Sequence, residues 1–137
     1  MTKRIEVVGA VIVQDGLVFC AQRGPGGSQA GRWEFPGGKV EPGEAPEVAL
    51  AREITEELYG AVTVEDRSAT TGHEEAFGTT VLTTYYCALA AGNTELRLTE
   101  HADARWLAPT ELIGLDWAPA DVPAVVRVAA NLGAERQ

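Results

Sequence analysis

Apolar positions fall along the chain in two rhythms. From Ile5 to Val13 they form an almost unbroken, β-branched run, which suits a strand covered on both faces. Asp15-Gly16 is a turn signal, and Leu17 to Arg23 reads as the returning strand. Gly24-Pro25-Gly26-Gly27-Ser28 is a loop that no regular element tolerates. Trp33-Glu34-Phe35 is short and extended, and Pro36-Gly37-Gly38 predicts a turn. Between Pro46 and Tyr59 the period becomes helical, with Val48, Ala51, Ile54 and Leu58 as the expected buried stripe. Pro46 suits the first helical position and Gly60 the stop. Ala45 lacks a capping oxygen, at a cost of about 1 kcal/mol. Farther on, Val62–Val64 and Gly78–Leu89 are strand-like, and Trp106-Leu107 is a short buried segment. Pro109–Leu112 is a helical turn, and Asp121–Leu132 is the closing helix. Strands alternating with two helices predict an α/β chain, a mixed sheet between helices, in a single domain over residues 1–137.

Composition narrows the function. With 45% hydrophobic and 23% charged residues the chain is ordinary globular material. Its longest apolar run falls far short of the ~20 residues of a membrane helix. Glu6 at the entrance of that run argues against a secretory leader, so no membrane partner and a cytoplasmic location are expected. Twenty acidic residues against 11 basic ones give a net charge of −9. Such a surface repels a polyphosphate backbone, which argues against a nucleic acid polymer as partner. Small anions remain acceptable where a cation neutralises them. Cys20 and Cys87 match no metal spacing and are expected as buried free thiols.

Acid concentrates on the predicted helix. Glu53, Glu56 and Glu57 stand at i, i+3 and i+4, within one sector of about 100° placed opposite the expected apolar stripe. Alone they read either as a solvated acidic face or as oxygen ligands of Mg²⁺. Like charges so spaced destabilise a helix, and only Arg52 offsets them. The preceding loop adds a pattern: Gly38, five residues, Glu44, seven residues, then Arg52-Glu53-Ile54-Thr55-Glu56-Glu57.

This pattern resembles the Nudix box, G-x5-E-x7-R-E-U-x-E-E-x-G-U with U bulky and apolar. Tyr59 stands at the box's late Gly position and Gly60 follows it. The likeness extends to Ala21-Gln22-Arg23, Gly31 through Lys39 and Ala118-Pro119-Ala120-Asp121, and is similar to MutT-type enzymes over nearly the whole chain. It implies an α/β/α sandwich and a hydrolase cleaving nucleoside triphosphates to monophosphate and pyrophosphate. It implies Glu53, Glu56 and Glu57, with the Gly38 carbonyl beside them, as ligands of Mg²⁺ or Mn²⁺. Glu53 and Glu100 are then alternative general bases, and Glu57 belongs to the catalytic set. Arg52 supports a carboxylate from behind, and Glu44 is the box's early acid. Arg23 and Lys39 match phosphate-contacting positions. Lys39 also reads as a snorkelling strand residue, Glu100 as a surface acid and His101 as structural.

For the base, Phe35 and, less directly, Tyr85 are candidate walls, and both also read as core, Tyr85 the more so. Asp121 is either the cap of the last helix or the base reader. An ionised Asp only accepts hydrogen bonds, which suits the exocyclic amine of cytosine. The resemblance therefore points to CTP, dCTP or 5-substituted cytosine nucleotides. An 8-oxo-dGTP-sanitising hydrolase and a catalytically silent nucleotide-binding module stand as alternatives. Monomer and homodimer both remain open, with Trp117 and the apolar last helix as the candidate contact surface.

Overall fold

The β-branched run becomes the spine of the molecule, strand β1 (Lys3–Gln14). The computed structural model describes residues 3–90 and 96–135. Further strands are β2 (Leu17–Gln22), β3 (Trp33–Glu34), β4 (Gly37–Lys39), β5 (Val62–Glu75), β6 (Gly78–Leu89) and β7 (Asp103–Leu107). Helices α1 (Pro46–Leu58) and α2 (Val122–Glu135) complete the frame, with short 3-10 helices at Pro109–Gly114 and Pro119–Asp121.

One edge of β1 runs parallel to β6, from Lys3↔Gly78 to Ile12↔Cys87. Its other edge is shared: β4 pairs antiparallel along Val7–Gly9, and β2 pairs only at Val13 and Gln14. The sheet therefore forks, and β2 carries β3 and β7 on its own branch. Side chains alternate along β1, so Val8, Ala10 and Ile12 meet α1 while Val11 and Val13 meet α2. The mixed sheet thus lies between two helices, as the pattern predicts.

Asp15 and Gly16 both have positive φ (53° and 77°), the combination a two-residue type I′ hairpin requires. Cys20 and Cys87 are buried and free, and burial pushes both thiols up to about 12, which leaves them unreactive.

Several elements differ from the sequence reading. The buried side of α1 is Ala49, Leu50, Ile54 and Leu58, whereas Val48 is 60% exposed and Ala51 half-buried. The helix stops at Tyr59, which itself takes the left-handed conformation (φ 52°) in place of Gly60. Gly37 and Gly38 are strand residues rather than a turn; a Cβ on Gly37 would overlap the Val8 carbonyl. β5 runs on to Glu75 across two register shifts, because its ladder with β6 compensates for a polar sequence. Trp106 is 36% exposed and lies edge-on against Phe19. Helix α2 begins at Val122, and the Asp121 side chain turns away from it.

Candidate active site

The rotation of α1 decides where its acids point. Measured from Leu50 at 100° per residue, Glu57 lies about 20° and Glu53 about 60° from the middle of the buried side, and Glu56 about 120° away. Accordingly Glu53 and Glu57 are mostly covered, at 16% and 19% side-chain exposure, while Glu56 is 59% exposed. Glu53 and Glu57 thus lie within the buried side and Glu56 at its margin, instead of opposing it. Docking on β4 sets this rotation: the Glu53 carboxyl lies against Gly38, where a Cβ would overlap it.

Arg52 ties these acids together. Its Nε and Nη2 donate to the two oxygens of Glu44 at 2.8 and 3.0 Å, a bidentate pair. Its Nη1 reaches Glu53 Oε1 at 3.0 Å and Glu56 Oε2 at 3.4 Å. Nη2 also donates to the Lys39 carbonyl at 3.3 Å, which anchors the end of β4. The Arg52 hydrogen bonds hold the Glu44 carboxyl down at about 2. Glu44 also accepts from the Glu41 N–H at 3.1 Å and so closes the loop ahead of α1.

Across from α1 stands a second acidic group. Glu34 accepts from Arg23 Nε on Oε1 at 2.7 Å and lies 2.8 Å from His101 Nε2 through Oε2. Burial would raise this carboxyl, but the His101 and Arg23 hydrogen bonds and charges outweigh it and hold Glu34 below its ordinary range. The imidazole therefore donates from Nε2, and its Nδ1 has no partner among the described residues. Glu57 stands 4.0 Å from that same Nε2. Glu34, Glu57, Glu100, His101 and Arg23 all line one open depression of about 740 Å³. Burial, a hydrogen bond with Glu53 and the charges of Glu34, Glu53 and Glu100 push Glu57 up to about 8.

A cleft of about 330 Å³ adjoins this depression. Its floor is Ile5, Val7 and Leu82, and Phe35, Lys39, Arg23 and Asp121 stand on its walls. Phe35 is 3% exposed and packs on Trp117 with ring centroids 4.9 Å apart. Its N–H donates to Asp121 Oδ2 at 3.0 Å, so Asp121 clasps the residue that follows β3 rather than capping α2. Burial, joined by the charge of Glu34, pushes Asp121 up to about 7 against the Phe35 N–H and Arg23. Tyr85 does not belong here: it lies in the core under α1, with Val8, Ile54 and Cys87, on the opposite face of the sheet. Odd and even residues of β6 face opposite ways, and Thr80 and Leu82 take the cleft side.

No three carboxylate, thiol or imidazole groups among the described residues form a ready-made metal cluster, and Glu56 reaches to Arg52. The donor set nevertheless fits a hard divalent cation. It is all oxygen, Glu53 lies against a glycine with no side chain to obstruct it, and burial with the neighbouring carboxylates raises Glu57, a penalty that a cation would offset. Glu34 has no role in the sequence reading, since a lone acid on a two-residue strand carries no periodic signal. His73 on the cleft wall is likewise illegible in the sequence, because it lies on the part of β5 beyond Val64.

The family described as NUDIX domain matches residues 3–128. The "CTP pyrophosphohydrolase" of Escherichia coli is 39% identical over 121 residues, 88% of this chain and 88% of that protein. The "Putative 8-oxo-dGTP diphosphatase 2" of Mycobacterium tuberculosis is 43% identical over 125 residues, 88% of this chain and 84% of that protein. Among solved structures, the E. coli ORF135 protein superposes with a TM-score of 0.84 at 38% identity, covering 97% of this chain and 94% of that one. A box of acids docked on a glycine strand and a match spanning nearly the whole sequence agree, and the chain belongs to the NUDIX family as a nucleotide diphosphatase.

Proposed function

We propose that the chain is an Mg²⁺-dependent nucleoside triphosphate pyrophosphohydrolase that releases nucleoside monophosphate and pyrophosphate, with CTP, dCTP or 5-substituted cytosine nucleotides preferred. The observation that carries the base assignment is Asp121, which lines the cleft with one oxygen committed to the Phe35 N–H. Its other oxygen has no hydrogen bond among the described residues and, when ionised, accepts from an exocyclic amine. The 39% identity to a protein named CTP pyrophosphohydrolase supports this reading.

Glu53, Glu56 and Glu57, with the Gly38 carbonyl, would hold the cation, whose charge offsets that of the triphosphate and of the reacting oxygens. Arg52 keeps Glu53 in place and balances part of the acid. Arg23 and Lys39 bind phosphate oxygens from the cleft wall, the Lys39 ammonium having no partner among the described residues. Either Glu53 or Glu100 takes the proton of the attacking water at an Oε atom. The acidic surface restricts the substrate to small nucleotides.

A second reading rests on the raised affinity of Asp121 for its proton. Protonated, its free oxygen donates, which suits the carbonyl of 8-oxoguanine. The test is pyrophosphate release with Mg²⁺ from a panel of canonical, oxidised and methylated triphosphates, run at about pH 6 and about pH 8.5. The cytosine reading expects CTP or dCTP to lead at the higher pH. It fails if 8-oxo-dGTP is cleaved far better than every cytosine nucleotide at both.

A further inference from the structure

We propose that His101 is a positioning residue: acting through Glu34, it holds the Arg23 guanidinium in the orientation that receives phosphate. This rests on the reading of Arg23 as a phosphate ligand. The three side chains form a line. His101 Nε2 is 2.8 Å from Glu34 Oε2, and Glu34 Oε1 is 2.7 Å from Arg23 Nε, so both carboxylate oxygens are in use. Exposure rises along that line, from 5% for the His101 side chain to 17% for Glu34 and 34% for Arg23. The buried end is the support and the accessible end is the tip.

Arg23 is held at two points. Nε is tied to Glu34, and Nη1 donates to the Ser28 carbonyl at 3.0 Å. With both fixed, the planar guanidinium cannot turn, and Nη2, unpartnered among the described residues, is the atom left for a phosphate oxygen. Arg23 borders both the cleft and the acidic depression, at the junction where the triphosphate must cross.

The backbone joins the same parts. The Ala102 N–H donates to the Gln22 carbonyl at 2.9 Å, beside Arg23, and a Cβ on Gly24 would overlap the Glu100 carbonyl. The segment carrying Glu100 and His101 is thus latched to the segment carrying Arg23. His101 Nδ1 is buried without a partner among the described residues, a desolvation cost that an apolar filler would avoid. What the imidazole contributes is therefore its single Nε2–H on Glu34.

The experiment uses H101F, H101Q, R23A and the R23A/H101F double variant. KM and kcat are read by pyrophosphate release on whichever triphosphate of the panel is turned over fastest. Loss of one charge-assisted hydrogen bond behind a ligand that binds ground and transition states alike predicts about a tenfold rise in KM for H101F, with kcat changed less than about threefold. H101Q, whose amide can still donate to Glu34, recovers most of that rise. In the R23A background, H101F adds less than about twofold, because Arg23 is what His101 supports. An additive tenfold effect in that background, or a wild-type KM in H101F, overturns the proposal. Should H101F not fold, as judged by thermal melting, E34Q takes its place with the same expectations. An unchanged KM in R23A overturns the phosphate reading of Arg23, and the proposal with it. A raised KM in R23A beside an unchanged one in H101F overturns the proposal alone.

Discussion

Asp121 offers the cleanest quantitative prediction, because its environment opposes its charge. The side chain is 5% exposed and pushed from 3.8 up to about 7, chiefly by burial. An unfolded Asp121 releases its proton near its ordinary value, while the folded one keeps it to near neutrality. Between these limits the native state binds more protons than the unfolded state, so stability falls as pH rises from about 4 to about 7 and levels off above. The shift is worth about 4 kcal/mol across the whole window, of which about 2–3 kcal/mol is lost between about pH 5 and pH 8. Asp121→Asn cannot ionise, and its amide oxygen can still accept the Phe35 N–H. The measurement is urea unfolding of both proteins at steps from about pH 5 to pH 8. The variant should gain on the wild type by about 2–3 kcal/mol over that range. Parallel pH curves would show that Asp121 is solvated as easily in the fold as outside it, and would remove the burial argument for base reading.

Glu57→Gln should keep the far-ultraviolet circular dichroism of the wild type and lose at least about a hundredfold in turnover, since a carboxamide cannot replace the anionic oxygen of the catalytic set; a near-wild-type rate excludes Glu57 from that set. Gly38→Ala should fold, because the Glu53 carboxyl it would strike is the free end of a flexible side chain. Its Mg²⁺ affinity by titration calorimetry should fall at least about tenfold, as for a displaced ligand, and an unchanged affinity would separate Glu53 from the cation. Tyr59→Gly should stabilise the protein by about 1 kcal/mol in chemical denaturation, because it relieves a left-handed backbone at a residue whose ring is 67% exposed; destabilisation would mean that the ring has contacts of value.

The chain's own pattern was enough for the frame and for the list of chemical groups. A β-branched run wrote β1, Asp15-Gly16 wrote its hairpin, and Pro46 set the start of α1. The spacing of Gly38, Glu44, Arg52, Glu53, Glu56 and Glu57 named the acids and their arginine, because a helix repeats at fixed angles whatever surrounds it. Composition also set the sign of the surface. Tertiary structure decided which way those groups point. Periodicity leaves the rotation of a helix free within about one residue, and docking of α1 on Gly38 turned Glu53 and Glu57 inward and left Glu56 with Arg52. It decided that Tyr85 faces the core and Asp121 clasps Phe35, since strand parity and a remote N–H partner lie outside any local window. It also joined Arg23, Glu34 and the distant His101, whose association depends on β2 pairing with both β3 and β7. Local pattern carries periodicity and residue chemistry; proximity between distant segments exists only once the sheet has closed.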